Sequence, residues 1–189
     1  MMTHRQIISA RILGGACALL GVLILAACEP IVETSDPAVA TTQAPLEVFL
    51  VRHAEKTTAK DDPALTEAGA ARADLLADML IDAKITRIHS SDYTRTRDTA
   101  APLADRLGLE IEIYDPSDLP AMSAKLQAAG GRHLVVGHSN TTGELTELLG
   151  GEGGDPIVEA YEYDRLYLVT TAADGSTTSA LLRFGESGR

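Results

Sequence analysis

The 189-residue chain has the length of a single domain and leaves little room for a second one. Its composition, 45% hydrophobic and 23% charged, is typical of a globular protein and argues against disorder throughout. The formal net charge of −11 and the lack of any basic run argue against a nucleic-acid groove, which needs clustered Lys and Arg. An acidic protein that binds an anion must place a few arginines in one pocket.

The first 27 residues have the pattern of a secretory signal. A weakly basic start precedes an apolar, uncharged run over residues 12–27 that is rich in small residues. The run is short for a membrane-spanning helix, although a residual anchor stays an alternative. Residues 25–28, LAAC, resemble the lipobox of bacterial lipoproteins. This resemblance implies cleavage before Cys28 and lipid on its sulfur; an ordinary signal peptide containing a cysteine is the other interpretation.

The cysteine count agrees with this interpretation. Cys17 would leave with the signal, so lipidation of Cys28 would leave the mature chain without a free thiol. Residues 29–45 are rich in Pro and Thr and lack hydrophobic periodicity, as expected of a flexible tether. We therefore expect a signal peptide (1–27), a lipidated cysteine with its tether (28–45) and a folded domain (46–189), anchored to a membrane on the periplasmic side of a bacterial envelope.

From residue 46 onward, predicted strands and helices alternate. Short apolar runs ending at polar loops predict strands over residues 46–51, 85–89, 110–114 and 133–136. A first helix follows Thr66, which can cap it, and its predicted apolar face consists of Leu75, Leu76, Met79 and Leu80. Three more helices begin near residues 94, 119 and 141 and end at Gly108, Gly130 and Gly150.

The end of the chain has a different pattern. Residues 165–170 and 178–184 flank Asp174-Gly175, which predicts a β-hairpin. Repeated β-α units predict a mostly parallel sheet with helices on both faces. The expected fold class is α/β, a three-layer sandwich with an antiparallel hairpin at one edge.

Polar blocks directly follow three of the predicted strands. They are residues 52–56 (RHAEK), 90–95 (SSDYTR) and 137–141 (GHSNT). In sheets of this kind, ligands bind beyond the carboxyl ends of the strands. Two histidines and two arginines are therefore predicted to converge on one rim: Arg52, His53, Arg95 and His138.

These residue types suit phosphoryl transfer. A neutral imidazole can attack phosphorus when its other nitrogen donates a hydrogen bond, and the resulting phosphohistidine splits one displacement into two. Arginine binds phosphoryl oxygens bidentately and keeps its charge. His138 in its charged form would donate to the same oxygens. The amino end of the helix that carries Arg95 would add backbone N–H groups.

The blocks resemble the signatures of the histidine phosphatase superfamily, also called the phosphoglycerate mutase-like family. Its Arg-His-Gly signature is present as RHA (52–54), its Ser-x-x-x-Arg-x-x-x-Thr-Ala pattern at 91–100, its second histidine in VVGHSN (135–140) and its Leu-Thr-x-x-Gly helix entry at 65–69. The resemblance extends from residue 46 to about residue 184. It implies that His53 is the nucleophile and that Arg52, Arg95 and His138 form the phosphate pocket, with Asn140 also binding substrate.

Two positions depart from the family pattern. Ala54 replaces a glycine, which adds a methyl group and limits backbone freedom. Ser139 stands where one form of the family has an aspartate that protonates the leaving group. Another form has a Glu in an insertion after the third strand, and no such insertion follows residue 114 here. Glu55 and Glu144 are candidate donors by proximity, and neither is assigned. A strongly acidic leaving group, such as an acyl or histidyl phosphate, would need no strong donor.

Other polar residues have simpler interpretations. His89 ends a predicted strand and His133 begins one, so both are interpreted as structural or exposed. Asp61 and Asp62 have no third clustered ligand, which favours a loop over a metal site. No metal and no cofactor are expected.

The sequence predicts a metal-independent phosphatase that acts on a phosphorylated small molecule or phosphoprotein, without nucleic acid. One alternative is a catalytically weak or inactive envelope lipoprotein that recognises phosphate. Another is a phosphotransferase of the phosphoglycerate mutase type. The latter is disfavoured because glycolysis is cytoplasmic and the chain lacks the insertion expected to close over that substrate.

Overall fold

A computed structural model describes residues 44–187. The predicted signal peptide, Cys28 and nearly all of the predicted tether lie outside these residues. No helix between residues 44 and 187 is long and apolar enough to cross a membrane. The elements in chain order are β1 (Leu46–Arg52), α1 (Glu67–Leu80), β2 (Arg87–Ser91), α2 (Thr94–Leu107), β3 (Ile111–Tyr114), α3 (Leu119–Ala129), β4 (Gly131–Gly137), α4 (Thr141–Leu148), β5 (Arg165–Thr171) and β6 (Thr177–Arg183).

The strands form one mixed sheet in the order β3-β2-β4-β1-β5-β6. The β1–β4, β2–β4 and β2–β3 pairs are parallel, whereas β5 runs antiparallel to β1 and β6 antiparallel to β5. The predicted α/β class, with a mostly parallel sheet and an antiparallel edge hairpin, is confirmed. Arg52 is level with Gly137, and Ser90 with Val136. The carboxyl ends of β1, β2 and β4 therefore meet at one edge of the sheet.

Each face of the sheet has its own apolar core. Val51 and Val136 pack with α1 and α2 on one face, and Leu50 and Val135 pack with α3 and α4 on the other. Successive side chains of a strand point to opposite faces, so the middle of a central strand covered on both sides favours apolar residues on both. This explains why residues 48–51 of β1 and 134–136 of β4 appear in the sequence as continuous apolar runs rather than alternating ones.

Most helix ends match their sequence signals, but the predicted inward face of α1 is half wrong. The Thr66 hydroxyl accepts a hydrogen bond from the Gly69 N–H at 3.1 Å, which caps the helix as predicted. Leu76 and Leu80 are buried, whereas Leu75 is 37% and Met79 is 44% exposed. Two small residues of α1, Ala73 and Ala77, complete the buried stripe instead. Their size lets the helix approach the elements packed against it.

Strand β2 lies further along the chain than predicted. It spans Arg87–Ser91 rather than residues 85–89, because Ser90 and Ser91 continue the ladder and pair with Val136 and Tyr114. Both serines are fully buried, and their hydroxyls find hydrogen-bond partners. Polar residues can occupy a buried strand when each is paired in this way. The shift brings Ser91 to the rim where the predicted site lies.

Candidate active site

The two predicted histidines stand side by side at the ends of the central strands. Beyond Arg52, the His53 N–H donates to the Gly137 carbonyl at 2.9 Å, which extends the β1–β4 pairing to the first histidine. The rings of His53 and His138 lie 5.7 Å apart, centre to centre, at an interplanar angle of 68°. Adjacent parallel strands thus bring together two residues that are far apart in sequence.

His53 is held in the tautomer that a nucleophile needs. Its Nδ1 lies 2.7 Å from the Ala54 carbonyl oxygen, which can only accept, so Nδ1 carries the proton and Nε2 keeps its lone pair. Burial lowers the pKa of His53 to about 3, and the nearby charge of Arg52 acts in the same direction. The imidazole is therefore neutral near pH 7.

The departure at Ala54 is accommodated without a gap in hydrogen bonding. Its side chain is fully buried, and its N–H donates to the Thr99 hydroxyl at 2.9 Å. That hydroxyl in turn donates to the Arg95 carbonyl at 2.7 Å. The contact ties the end of β1 to the first turns of α2, and so fixes His53 relative to the helix that carries Arg95.

Arg52 is a buried cation with unused donors. It is only 2% exposed, and its Nη1 donates to the Glu162 carbonyl at 3.1 Å. Its guanidinium lies 4.1 Å from the centre of the Tyr163 ring, a cation–π contact. Among residues 44–187, its buried Nε and Nη2 atoms find no hydrogen-bond partner. Buried donors are nearly always paired in proteins, so these two atoms are donors that an acceptor from outside the described residues would satisfy.

Arg95 projects from the first turn of α2 towards His138. Its Nη2 lies 3.4 Å from His138 Nδ1, and its guanidinium lies 4.4 Å from the centre of the Tyr93 ring. Its Nη1 is 3.8 Å from an Asp62 carboxylate oxygen, while its buried Nε has no hydrogen-bond partner in the described part of the chain. Arg95 therefore has a donor left for a ligand.

A chain of hydroxyls sets the tautomer of His138. Its Nε2 lies 2.8 Å from the Ser91 hydroxyl, whose own proton is donated to the Thr96 hydroxyl at 3.1 Å. The proton of His138 therefore sits on Nε2, and Nδ1 faces Arg95. Burial lowers the pKa of His138 to about 4, and Arg95 and Arg52 add to the effect. The expectation of a charged His138 is not met by this arrangement, in which the ring is neutral.

Helix α2 does not offer its first N–H group, contrary to expectation. The Thr94 N–H donates to the Asp62 carboxylate at 2.9 and 3.1 Å, and the Thr94 hydroxyl donates to it at 2.6 Å. Asp62 thus caps the helix from a distant loop, which agrees with the loop interpretation of Asp61 and Asp62. Across residues 44–187, no three His, Cys, Asp or Glu side chains are grouped to hold a metal ion.

The site opens into a cavity of about 410 Å³. Its lining consists of His53, Lys56, Tyr93, Arg95, Pro116, Ser117, His138, Ser139, Asn140, Thr141 and Glu159. Asn140, predicted to bind substrate, immediately precedes the first residue of α4. A larger groove of about 570 Å³ between α1 and α2 contains none of the predicted site residues.

The two candidate proton donors from the sequence do not reach this cavity. The Glu55 carboxylate is held by Arg72, with an Oε1–Nη2 distance of 2.8 Å. Glu144 lines a neighbouring hollow of about 190 Å³. The carboxylate that does line the cavity is Glu159, which sequence reasoning missed because it stands in an aperiodic connection between α4 and β5.

The other two histidines among residues 44–187 form a buried pair away from the cavity. His89 Nε2 and His133 Nδ1 are 3.0 Å apart, and their rings stack at an interplanar angle of 16°. His133 Nε2 also lies 2.7 Å from the Gly130 carbonyl oxygen. Burial lowers the pKa of both rings, so the pair is neutral and its role is structural, as interpreted.

Residues 48–116 match the family model of the histidine phosphatase superfamily, branch 1. The match includes Arg52, His53 and Arg95 but stops before His138, whose placement comes from the fold. Curated relatives include probable phosphoglycerate mutases GpmB of Yersinia pestis and Yersinia pseudotuberculosis, each 40% identical over 78 residues. That alignment covers 38% of this chain and 36% of the relative, so the chain spans about a third of the length of these mutases.

Solved structures share the fold over nearly their whole length. The protein histidine phosphatase SixA, complexed with tungstate, matches with a TM-score of 0.59 and 23% identity, covering 73% of this chain and 97% of that one. A mycobacterial glucosyl-3-phosphoglycerate phosphatase matches with a TM-score of 0.57 and 16% identity, covering 76% and 100%. At these identities the likeness shows the fold alone.

Proposed function

We propose that the chain is a phosphatase that hydrolyses phosphate monoesters through a phosphohistidine on His53. The observation that carries this proposal is the buried Arg52, whose Nε and Nη2 have no hydrogen-bond partner among the described residues, next to an imidazole whose Nε2 is free. A phosphoryl group held at that point would supply the missing acceptors and present phosphorus to the nucleophile. The match to histidine phosphatases supports the same chemistry.

The reaction has two steps. His53 Nε2 attacks phosphorus, the N–P bond forms, and the bond to the leaving-group oxygen breaks. Arg52 and Arg95 hold the phosphoryl oxygens, and His138 donates to them once it gains a proton on Nδ1. Water then attacks the phosphohistidine, releases phosphate and restores the neutral imidazole. No step requires a metal ion, so turnover should persist in excess chelator.

The substrate is proposed to be a phosphorylated small molecule or phosphoprotein. Strand β3 leads into α3 through residues 115–118 alone, so no inserted segment covers the cavity from that side. Proteins of similar fold include a protein histidine phosphatase and a glucosyl-3-phosphoglycerate phosphatase, so the fold is compatible with either class. We further propose that the domain is lipid-anchored at Cys28 and faces the periplasm, on the strength of the lipobox and tether.

The two histidines are expected to fail differently when replaced. His53→Ala removes the nucleophile and should abolish both turnover and the covalent adduct, while Arg52 and Arg95 still bind vanadate. His138→Ala removes one donor, which typically costs about a hundred- to a thousand-fold in rate. Rapid quench with labelled substrate and alkaline gel separation would show the acid-labile, base-stable adduct.

Three results would contradict the mechanism. They are turnover by wild-type protein without label on His53, activity that survives in His53→Ala, and vanadate binding by a wild-type protein that turns over no aryl or alkyl phosphate. The last result would favour the non-catalytic phosphate-binding alternative.

Mutase activity is a second candidate, favoured by the 40% identity to GpmB over 78 residues. Interconversion of phosphoglycerates is the measurement that separates the two activities. The hydrolase proposal expects phosphate release to exceed any interconversion.

A further inference from the structure

One acidic side chain of the cavity has no part in the mechanism above. Among the described residues that line the cavity, Glu159 is the one carboxylate. Its charge acts on two residues of the site. Burial lowers the pKa of both Arg52 and His138, and Glu159 opposes the shift in each case. Glu159 is therefore close enough to influence the groups that would surround a bound phosphoryl group.

The turn that carries Glu159 is fixed, although the side chain itself is exposed. The Glu162 N–H donates to the Val158 carbonyl at 2.9 Å, and the Val158 N–H donates back to the Glu162 carboxylate at 2.9 Å. That carboxylate is 8% exposed and is paired with Arg165 and Arg183, each at 2.8 Å. A double hydrogen bond anchored on a buried ion-pair network leaves little freedom to the residues it encloses.

The same turn contacts Arg52 directly. The Glu162 carbonyl accepts from Arg52 Nη1, and the next residue, Tyr163, places its ring against the guanidinium. The backbone at Glu159 is thus held in a fixed relation to the buried cation rather than carried by an independent loop. A group that transfers a proton must lie within hydrogen-bond reach of the substrate atom, and a fixed backbone helps to keep it there.

Competing groups are less suitable. Glu55 is neutralised by Arg72, and Glu144 lies in the adjacent hollow. Lys56 lines the cavity, but its ammonium is better suited to binding phosphate charge than to both giving and taking a proton in successive steps. A carboxyl group can do both.

We propose that Glu159 is the proton donor to the leaving group and the base that activates water. The assignment depends on the proposed phosphatase function. In the first step, the P–O bond breaks as N–P forms, and the Glu159 carboxyl proton passes to the departing oxygen. In the second, the Glu159 carboxylate takes a proton from water as its oxygen bonds to phosphorus and the N–P bond breaks.

The test compares leaving groups in Glu159→Gln. The rate constant kcat/KM covers the steps up to the first cleavage. For glycerol phosphate, whose leaving alkoxide needs a proton, kcat/KM should fall by about a hundred- to ten-thousand-fold. For 2,4-dinitrophenyl phosphate, whose leaving group needs none, it should stay within a few-fold. The kcat for 2,4-dinitrophenyl phosphate should nevertheless fall and labelled phosphoenzyme should accumulate, because the variant has no base to activate water in the second step.

Two further variants serve as controls. Glu152→Gln makes the same charge change at an exposed residue of the same connection outside the cavity lining, and should leave both substrates within a few-fold of wild type. Glu159→Asp keeps the acid on a shorter side chain and should recover part of the glycerol phosphate activity.

Equal losses on both esters, or no loss on glycerol phosphate, would overturn the assignment. A leaving-group-dependent loss in Glu144→Gln instead would overturn it as well. Failure of the wild-type protein to form the His53 adduct would be a separate result, since it contradicts the phosphatase proposal itself.

Discussion

His138 illustrates how its neighbours determine the protonation state of a single imidazole. The Ser91–Thr96 hydroxyl chain fixes the proton on Nε2, and Arg95 stands against Nδ1. With a pKa of about 4, caused mainly by burial, the ring is neutral near pH 7. An oxyanion beside Nδ1 would raise that pKa, so the second proton should arrive together with the ligand.

Anion binding should therefore take up a proton and weaken as pH rises. The pKa of His138 is about 4 in the free protein, so above that pH the ring gains its proton only when the anion is bound. This uptake continues until the pH exceeds the pKa of His138 in the complex. Sulfate is a suitable probe because its charge is constant between about pH 5 and 8, where a shifted histidine titrates. Calorimetry in buffers of different ionisation enthalpy would measure the uptake. The uptake should diminish in His138→Gln and persist in His53→Gln; an unchanged uptake in His138→Gln would refute this account.

Several residues of the candidate site could not be predicted from the sequence. The predicted site residues stand at strand ends or in the segments just after them: Arg52, His53, Arg95 and His138. Because the strand ends of a parallel sheet meet at one rim, the sequence predicted that these residues come together. Glu159 and Tyr163 come from an aperiodic connection that reaches the site only because β5 pairs with β1. Their proximity depends on tertiary structure, for which the sequence contains no local signal.

At the scale of elements, the loop after β1 organises the start of α2. Asp62 adopts a left-handed backbone conformation, with φ of 42°, and its carboxylate caps Thr94 while standing near Arg95. Hydrogen bonds from Thr94 lower the pKa of Asp62. The residue thereby links the loop that follows His53 to the helix that carries Arg95.

Removal of this cap should impair the site more than it alters the fold. Asp62→Ala is expected to lower kcat/KM by about tenfold, since small displacements of a positioning group are costly. Asp62→Asn, which keeps an acceptor oxygen and tolerates the left-handed backbone, should stay close to wild type. Steady-state kinetics of the two Asp62 variants would measure the loss of kcat/KM, with Asp61→Ala as the control at the neighbouring residue. Equal kinetics for the two alanine variants would show that the cap does not position Arg95.

The elements themselves were largely predictable, and the errors have physical causes. Gly108 ends α2 in a left-handed conformation, with φ of 66°, as its position after an apolar stripe indicated. The shift of β2 arose because buried serines continue a ladder when their hydroxyls are paired. The exposure of Leu75 and Met79 arose because the width of an inward stripe depends on the packing partner, which periodicity does not reveal.

At the scale of the whole molecule, the lipid anchor and the catalytic domain are proposed to be separable. Cys28→Ser should leave kcat and KM unchanged and release the protein from membranes, because the tether separates the lipid site from the cavity. Fractionation of cells expressing either form would measure the distribution. A variant that stays membrane-bound, or wild-type protein that carries no lipid, would contradict the anchor.

The unpaired donors of Arg52 also couple folding to ligand concentration. Each buried donor without a partner costs the native state roughly 1–3 kcal/mol, and the unfolded chain avoids this cost by hydration. An anion that satisfies Nε and Nη2 binds the native state alone, so it adds RT ln(1 + [L]/Kd) to the free energy of unfolding. If the proposed phosphatase function holds, we expect the protein to resist heat and proteolysis best when phosphate compounds are abundant, so its lifetime would follow their supply.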